Sequence, residues 1–164
     1  MHMNILYLHG LQSKLRKEKR AILENYGTVF APDIDYSKNH LQPIPILSEF
    51  KETEFNVIIG SSMGALNAYI ISENIGRPTL LFNPPLSKYK AIAFKAHFIK
   101  GIASKQIILG GNDDVVNAAE TLNFLGENLQ NSELNIKVLP KLGHRIPTDV
   151  FSTQIKEFFR ELCY

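Results

Sequence analysis

The feature that most constrains this chain is a repeated alternation. Short, mostly apolar runs of four or five residues occur at 4–8, 28–31, 55–59, 79–82, 106–109 and 135–139. They are too short for helices and lack the polar alternation of half-buried strands, so they read as strands covered on both faces. Amphipathic stretches lie between them, and the sequence predicts helices at 11–24, 63–74, 115–130 and 148–162. Residues 37–52 are harder to read. Pro43 and Pro45 forbid an uninterrupted helix, so helix is expected only at 46–51. The pattern predicts an α/β chain, a mainly parallel sheet in a three-layer sandwich. With 164 residues and no repeat or linker, it reads as one domain over 1–164, with 84–105 as a short lid or connection.

Composition removes several function classes. There are 18 basic and 16 acidic residues, a net charge of +2, too small to argue for nucleic acid as a partner. No apolar run approaches the roughly 20 residues needed to span a bilayer, so no membrane partner is expected. The run from Ile5 to Leu8 is too short for a signal peptide, and the expectation is a cytoplasmic protein. Met1-His2-Met3 reads as an initiator plus a cloning remnant, which keeps His2 out of any functional argument. The lone cysteine, Cys163, cannot form an intrachain disulfide, and the end of a terminal helix offers no base to activate its thiol.

Gly60-Ser61-Ser62-Met63-Gly64 matches G-x-S-x-G. Composition alone can supply such a match. Its context is more specific, because the run Val57-Ile58-Ile59 precedes it and a helical stretch, Ala65 to Ile71, follows. A strand, a sharp turn and a helix project a serine hydroxyl above a sheet, and strand and helix nearly touch there, hence Gly60 and Gly64. The competing reading is a glycine-rich structural or phosphate-binding turn, but no Gly-Lys-Ser/Thr follows. Ser62 is therefore the candidate nucleophile.

A serine hydroxyl needs a neutral imidazole to take its proton. Two histidines follow Ser62. His144 comes directly after the strand at 135–139, at a carboxyl end where ligands gather in open α/β sheets. His97 lies among apolar residues and reads as a lid or surface histidine. The acid that orients the imidazole is expected after the strand at 106–109, in Gly110-Gly111-Asn112-Asp113-Asp114. Asp113 is favoured, with Asp114 capping a helix from Val115, but Asp114 stays open as the acid. Asp33 and Asp35 precede Ser62 and break the serine, acid, histidine order. An oxyanion hole needs two N–H donors. The Met63 N–H follows the nucleophile, and the Leu11 N–H lies in the loop His9-Gly10-Leu11 after the first strand. His9 is expected to shape that loop through hydrogen bonds, against the plainer reading of a strand-to-helix turn. This chemistry calls for no cofactor and no metal.

Leu8-His9-Gly10, the G-x-S-x-G turn, Gly110 to Val115, and Gly143-His144 together resemble the α/β-hydrolase superfamily. With Gly-Ser-Ser-Met-Gly and Asn83-Pro84 after the next strand, the chain is similar to the small YqiA/YcfP-like bacterial esterases. The resemblance implies a reduced fold without the two leading antiparallel strands, a six-stranded sheet in the order 2-1-3-4-5-6, and a small lid. It implies Ser62, Asp113 and His144 as nucleophile, acid and base. It also implies hydrolysis of small-molecule esters or thioesters with short to medium acyl groups.

Basic residues from Lys14 to Arg20, and Lys88, Lys90, Lys95 and Lys100, could border the site and favour an anionic substrate such as an acyl-CoA thioester. The plainer reading is a solvated helix face. Two rival functions share the fold. One is a non-catalytic binding protein, which a missing triad member would betray. The other is an acyltransferase or peptidase using the same residues.

Overall fold

In a computed structural model, which describes residues 2–89, 103–129 and 132–162, the alternation folds into one six-stranded sheet. The strands are β1 (Met3–Leu8), β2 (Gly27–Phe30), β3 (Val57–Ser61), β4 (Thr79–Phe82), β5 (Lys105–Gly110) and β6 (Leu134–Leu139). All neighbours are parallel, in the order β2-β1-β3-β4-β5-β6. The helices are α1 (Lys17–Glu24), α2 (Pro43–Glu49), α3 (Met63–Ile75), α4 (Ala118–Glu127) and α5 (Thr148–Leu162), with a 3-10 turn at Leu86–Tyr89.

Alternate strand residues feed two cores, as the two-residue period of a strand requires. Leu6, Leu8, Ile58, Leu81 and Ile107 pack with α2, α3 and α4. Ile5, Tyr7, Ile59, Leu80 and Ile108 pack with α1 and α5. The central strands β3, β4 and β5 are buried along nearly their whole length, whereas the edge strands β2 and β6 are mostly half-buried. Burial on both faces is why the central runs carry no polar alternation. Helix α3 is buried from Met63 to Glu73 and shows no distinct polar face. Gly76 ends it in the left-handed conformation (φ 65°).

Several expected boundaries move, each for a local reason. Helix α1 starts at Lys17 rather than 11, because Gln12 sits at φ 50° and Arg16 is extended. Residues 11–16 are loop instead. Helix α2 starts at Pro43, not 46. Its prolines occupy the first turn, where an N–H would have no partner in the helix. Helix α4 starts at Ala118, not 115, because Asn117 caps it by accepting the N–H groups of Ala119 (2.9 Å) and Glu120 (3.2 Å). Asp114 therefore does not cap it. Most of the expected lid at 84–105, with His97, Lys90, Lys95 and Lys100, lies outside the described residues, as does Cys163. No helix among the described residues is long and apolar enough to cross a membrane.

The order places β2 on one side of β1 and β3 on the other. A crevice opens at the carboxyl ends where the winding reverses, between the ends of β1 and β3. His9-Gly10 and Ser62 come from those two ends.

Candidate active site

Ser62 follows β3 and precedes α3, and it holds φ 54° and ψ −121°. A non-glycine residue there costs on the order of 1–3 kcal/mol. Burial of neighbours such as Ile59 and Leu66, each contributing about 1.5–3 kcal/mol, offsets that cost. The crossing is tight. A Cβ on Gly60 would meet the Gly64 carbonyl oxygen at 2.5 Å, and one on Gly64 would meet the Leu8 carbonyl oxygen at 2.0 Å. Both contacts are with backbone, which cannot swing aside.

The Ser62 Oγ lies 3.0 Å from His144 Nε2, and His144 Nδ1 lies 2.9 Å from Asp113 Oδ2. His144 is about one-fifth exposed (22%) and the Asp113 side chain is fully covered (0%). The other Asp113 oxygen accepts the N–H groups of Val115 (2.8 Å) and Val116 (2.9 Å). These bonds hold the carboxylate with one oxygen free to face the imidazole. Asp114 is exposed and makes no hydrogen bond to His144 among the described contacts.

His9 is buried, with both ring nitrogens committed to backbone. Its Nε2 accepts the Ile34 N–H (2.8 Å). A backbone N–H only donates, so the ring proton sits on Nδ1 and is donated to the Gly10 carbonyl (2.6 Å). The Tyr36 hydroxyl donates to the His9 carbonyl at 2.7 Å. The 10–11 peptide is trans, so its carbonyl and N–H point in opposite directions. Turning the Gly10 carbonyl toward His9 therefore turns the Leu11 N–H away from it. Gly10 itself lies against the serine, since a Cβ there would meet Ser62 Cβ at 3.1 Å. At the other donor position, the Ser62 carbonyl takes the N–H groups of Ala65 and Leu66 (2.9 and 3.2 Å). The intrahelical ladder thus begins beyond Met63, whose N–H lies at the positive end of α3.

Sequence reasoning gave Asn83 no role. It sits at the end of β4, 2% exposed, at φ 47°. Its Oδ1 accepts the Gly110 N–H (2.7 Å), and its Nδ2 donates to the carbonyls of Gly143 and His144 (both 3.1 Å). One side chain therefore ties the loop carrying Asp113 to the loop carrying His144. The only available signal was an asparagine, which tolerates left-handed backbone, at a strand end before two prolines.

These groups open into a cleft of about 760 Å³, lined by Tyr7, Gly10, Leu11, Ser62, Val115 and His144 among others. Burial pushes the Tyr7 phenol up to about 12, with a hydrogen bond to Ser61 opposing the shift. Tyr7 is therefore a neutral wall rather than a second base. Among the described residues, no group of three or more His, Cys, Asp or Glu side chains is placed to hold a metal ion.

The fold is that of α/β hydrolases. SOBER1 of Arabidopsis thaliana superposes with a TM-score of 0.71 at 15% identity, covering 99% of this chain and 100% of its own. The Pyrococcus furiosus esterase PF2001 gives 0.67 at 16% identity, covering 97% of this chain and 81% of its own. The Bacillus cereus carboxylesterase gives 0.65 at 15%, covering 97% and 88%. No curated protein matches significantly in sequence. Residues 4–97, more than half of the chain, match the uncharacterised protein family UPF0227. That stretch holds all of β1 but its first residue, the His9-Gly10 loop, the Ser62 turn and Asn83, and the chain belongs to this family.

Proposed function

We propose that this chain is a serine hydrolase that cleaves carboxylic esters or thioesters of short to medium acyl groups. The observation that carries the reading is the continuous hydrogen-bonded path from Ser62 Oγ through His144 to Asp113. His144 Nε2 takes the Ser62 proton as the oxygen attacks the substrate carbonyl carbon. The N–H groups of Met63 and Leu11 receive the negative charge on the carbonyl oxygen, and His9 orients the second of them. Collapse of the tetrahedral intermediate breaks the C–O or C–S bond, and His144 passes its proton to the departing alcohol or thiol. Water then gives a proton to His144 and attacks the acyl-Ser62, releasing the acid and restoring the hydroxyl. Asp113, held by the Val115 and Val116 N–H groups, keeps the imidazole oriented and stabilises its positive charge. Solved structures that share the fold include proteins named as esterases, which supports the same reading.

The test is labelling with a fluorophosphonate, together with turnover of 4-nitrophenyl butyrate. Label should appear on the Ser62 peptide, and Ser62→Ala should lose on the order of 10⁴-fold or more in kcat. Full turnover by Ser62→Ala would end the proposal.

A further inference from the structure

The chain as a whole is nearly neutral, with 18 basic and 16 acidic residues. The cleft is not. Lys14, Arg16, Lys19 and Arg145 all line it beside Ser62 and His144, and among the described residues no aspartate or glutamate does. Lys14 and Arg16 are exposed but lie off α1, in the loop of residues 11–16 that brings them to the cleft. Lys19, in the first turn of α1, is fixed there. Its ammonium donates to the Ile146 carbonyl at 2.6 Å and sits 5.2 Å from the centre of the Phe151 ring. Burial, and then the nearby Arg16 charge, hold its pKa below the usual lysine range. Lys14, Arg16 and Arg145 make no ion pair among the described residues. Asp113 makes no ion pair with these cations among the described residues; its covered carboxylate bonds His144 and two backbone N–H groups. Like charges gathered in a concave site repel one another until an anion enters, and they focus an attractive potential toward it.

We propose that this cluster is a subsite for an anionic leaving group: a phosphate or carboxylate carried on the alcohol or thiol side of the ester. The side follows from the chemistry. His144 must hand its proton to the departing group, so that group leaves toward the loop before α5. Arg145 is on that loop, and Lys19 is bonded to it at Ile146. The cations line a concavity that contains the proposed nucleophile, which fits a small substrate. This inference rests on the hydrolase reading above.

Three chromogenic esters test it. They are neutral 4-nitrophenyl butyrate, 5-butyryloxy-2-nitrobenzoate with the anion on the leaving group, and 4-nitrophenyl hydrogen adipate with the anion on the acyl side. For each enzyme, kcat/KM on an anionic ester is divided by that on the neutral one. The leaving-group anion should raise this ratio roughly tenfold, and added salt should erode it. Arg145→Ala and Arg16→Ala should each lower it roughly two- to fivefold, the scale of a partly exposed charge pair. Ratios unchanged by these substitutions and by salt would overturn the subsite while neutral turnover left the hydrolase reading standing. A preference confined to the adipate monoester would overturn the assignment to the leaving-group side.

A binding measurement separates the subsite from catalysis. Titration of Ser62→Ala with 5-hydroxy-2-nitrobenzoate and with 4-nitrophenol should show tighter binding of the anionic phenol, reduced by Arg16→Ala/Arg145→Ala. Equal affinities would overturn the proposal. Selective binding of the carboxylate, with no turnover by the unsubstituted protein and no label on its Ser62, would overturn the hydrolase reading and with it the leaving-group assignment.

Discussion

The two walls of the cleft are built differently. On one, Asp113, His144 and Asn83 are tied to each other and to backbone by bonds of 2.7–3.1 Å, and the carboxylate is fully covered. On the other, residues 11–14 are exposed, and one tether, Lys19 to Ile146, joins α1 to the histidine loop. Physics explains the contrast. In the proposed mechanism the covered groups pass a proton, a step that tolerates little displacement. Charge attraction acts over several ångströms in water and needs no fixed geometry. The covered wall suits chemistry, and the open wall suits selection.

Substitutions on the covered wall should therefore cost turnover, in an order set by distance from the proton path. The largest effect belongs to Asp113→Asn, which leaves the loop's shape but favours the wrong imidazole tautomer. A fall of about 10⁴-fold in kcat on 4-nitrophenyl butyrate is expected. A loss below tenfold would place the acid elsewhere. Next is Gly10→Ala, whose methyl would press on Ser62 Cβ (3.1 Å) and the Ser61 carbonyl (3.3 Å). Moving the loop proposed to supply an oxyanion donor should cost about 10²–10³ in kcat with little change in KM. If KM alone rose, the loop would serve binding instead. Asn83→Ala removes three hydrogen bonds between the loops, with an expected loss of about 10- to 100-fold in kcat. Unfolding in urea should show it destabilised by about 1–3 kcal/mol. Asn83→Asp keeps the acceptor for Gly110 but sets a carboxylate against two carbonyls, so it should be no better. The smallest effect is that of Asp114→Asn, which should change kcat less than about twofold, within the range of an exposed substitution. A large loss there would reopen the choice between the two aspartates.

How far the residues themselves announced this arrangement varied with the range of the forces involved. The central strands and α3 are continuous apolar segments, and their burial on both sides is written in local composition. The sequence pattern starts α1 six residues too early. Its basic loop is polar enough to pass for helix, and the break comes from a single left-handed residue, Gln12. Helix α4 starts three residues later than its pattern suggests, where Asp113 spends an oxygen on Val115 and Val116 and Asn117 caps the helix. Asn83 stands out in the sequence only through a family resemblance. Its partners are 27, 60 and 61 residues away, and no local pattern encodes them.

By itself the sequence determined a parallel α/β sheet, because run length and the absence of alternation leave few other ways to bury those strands. It also determined the turn at Ser62, because only small residues permit that strand-to-helix crossing. It brought three polar groups to three strand ends. Only the tertiary structure decided which of two adjacent carboxylates faces His144, a matter of one residue's rotation within a loop. Only the tertiary structure decided that the exposed Lys14 and Arg16 stand at the cleft. Both depend on where chain segments far apart in sequence come to rest, and tertiary packing settles that after local propensity has been spent.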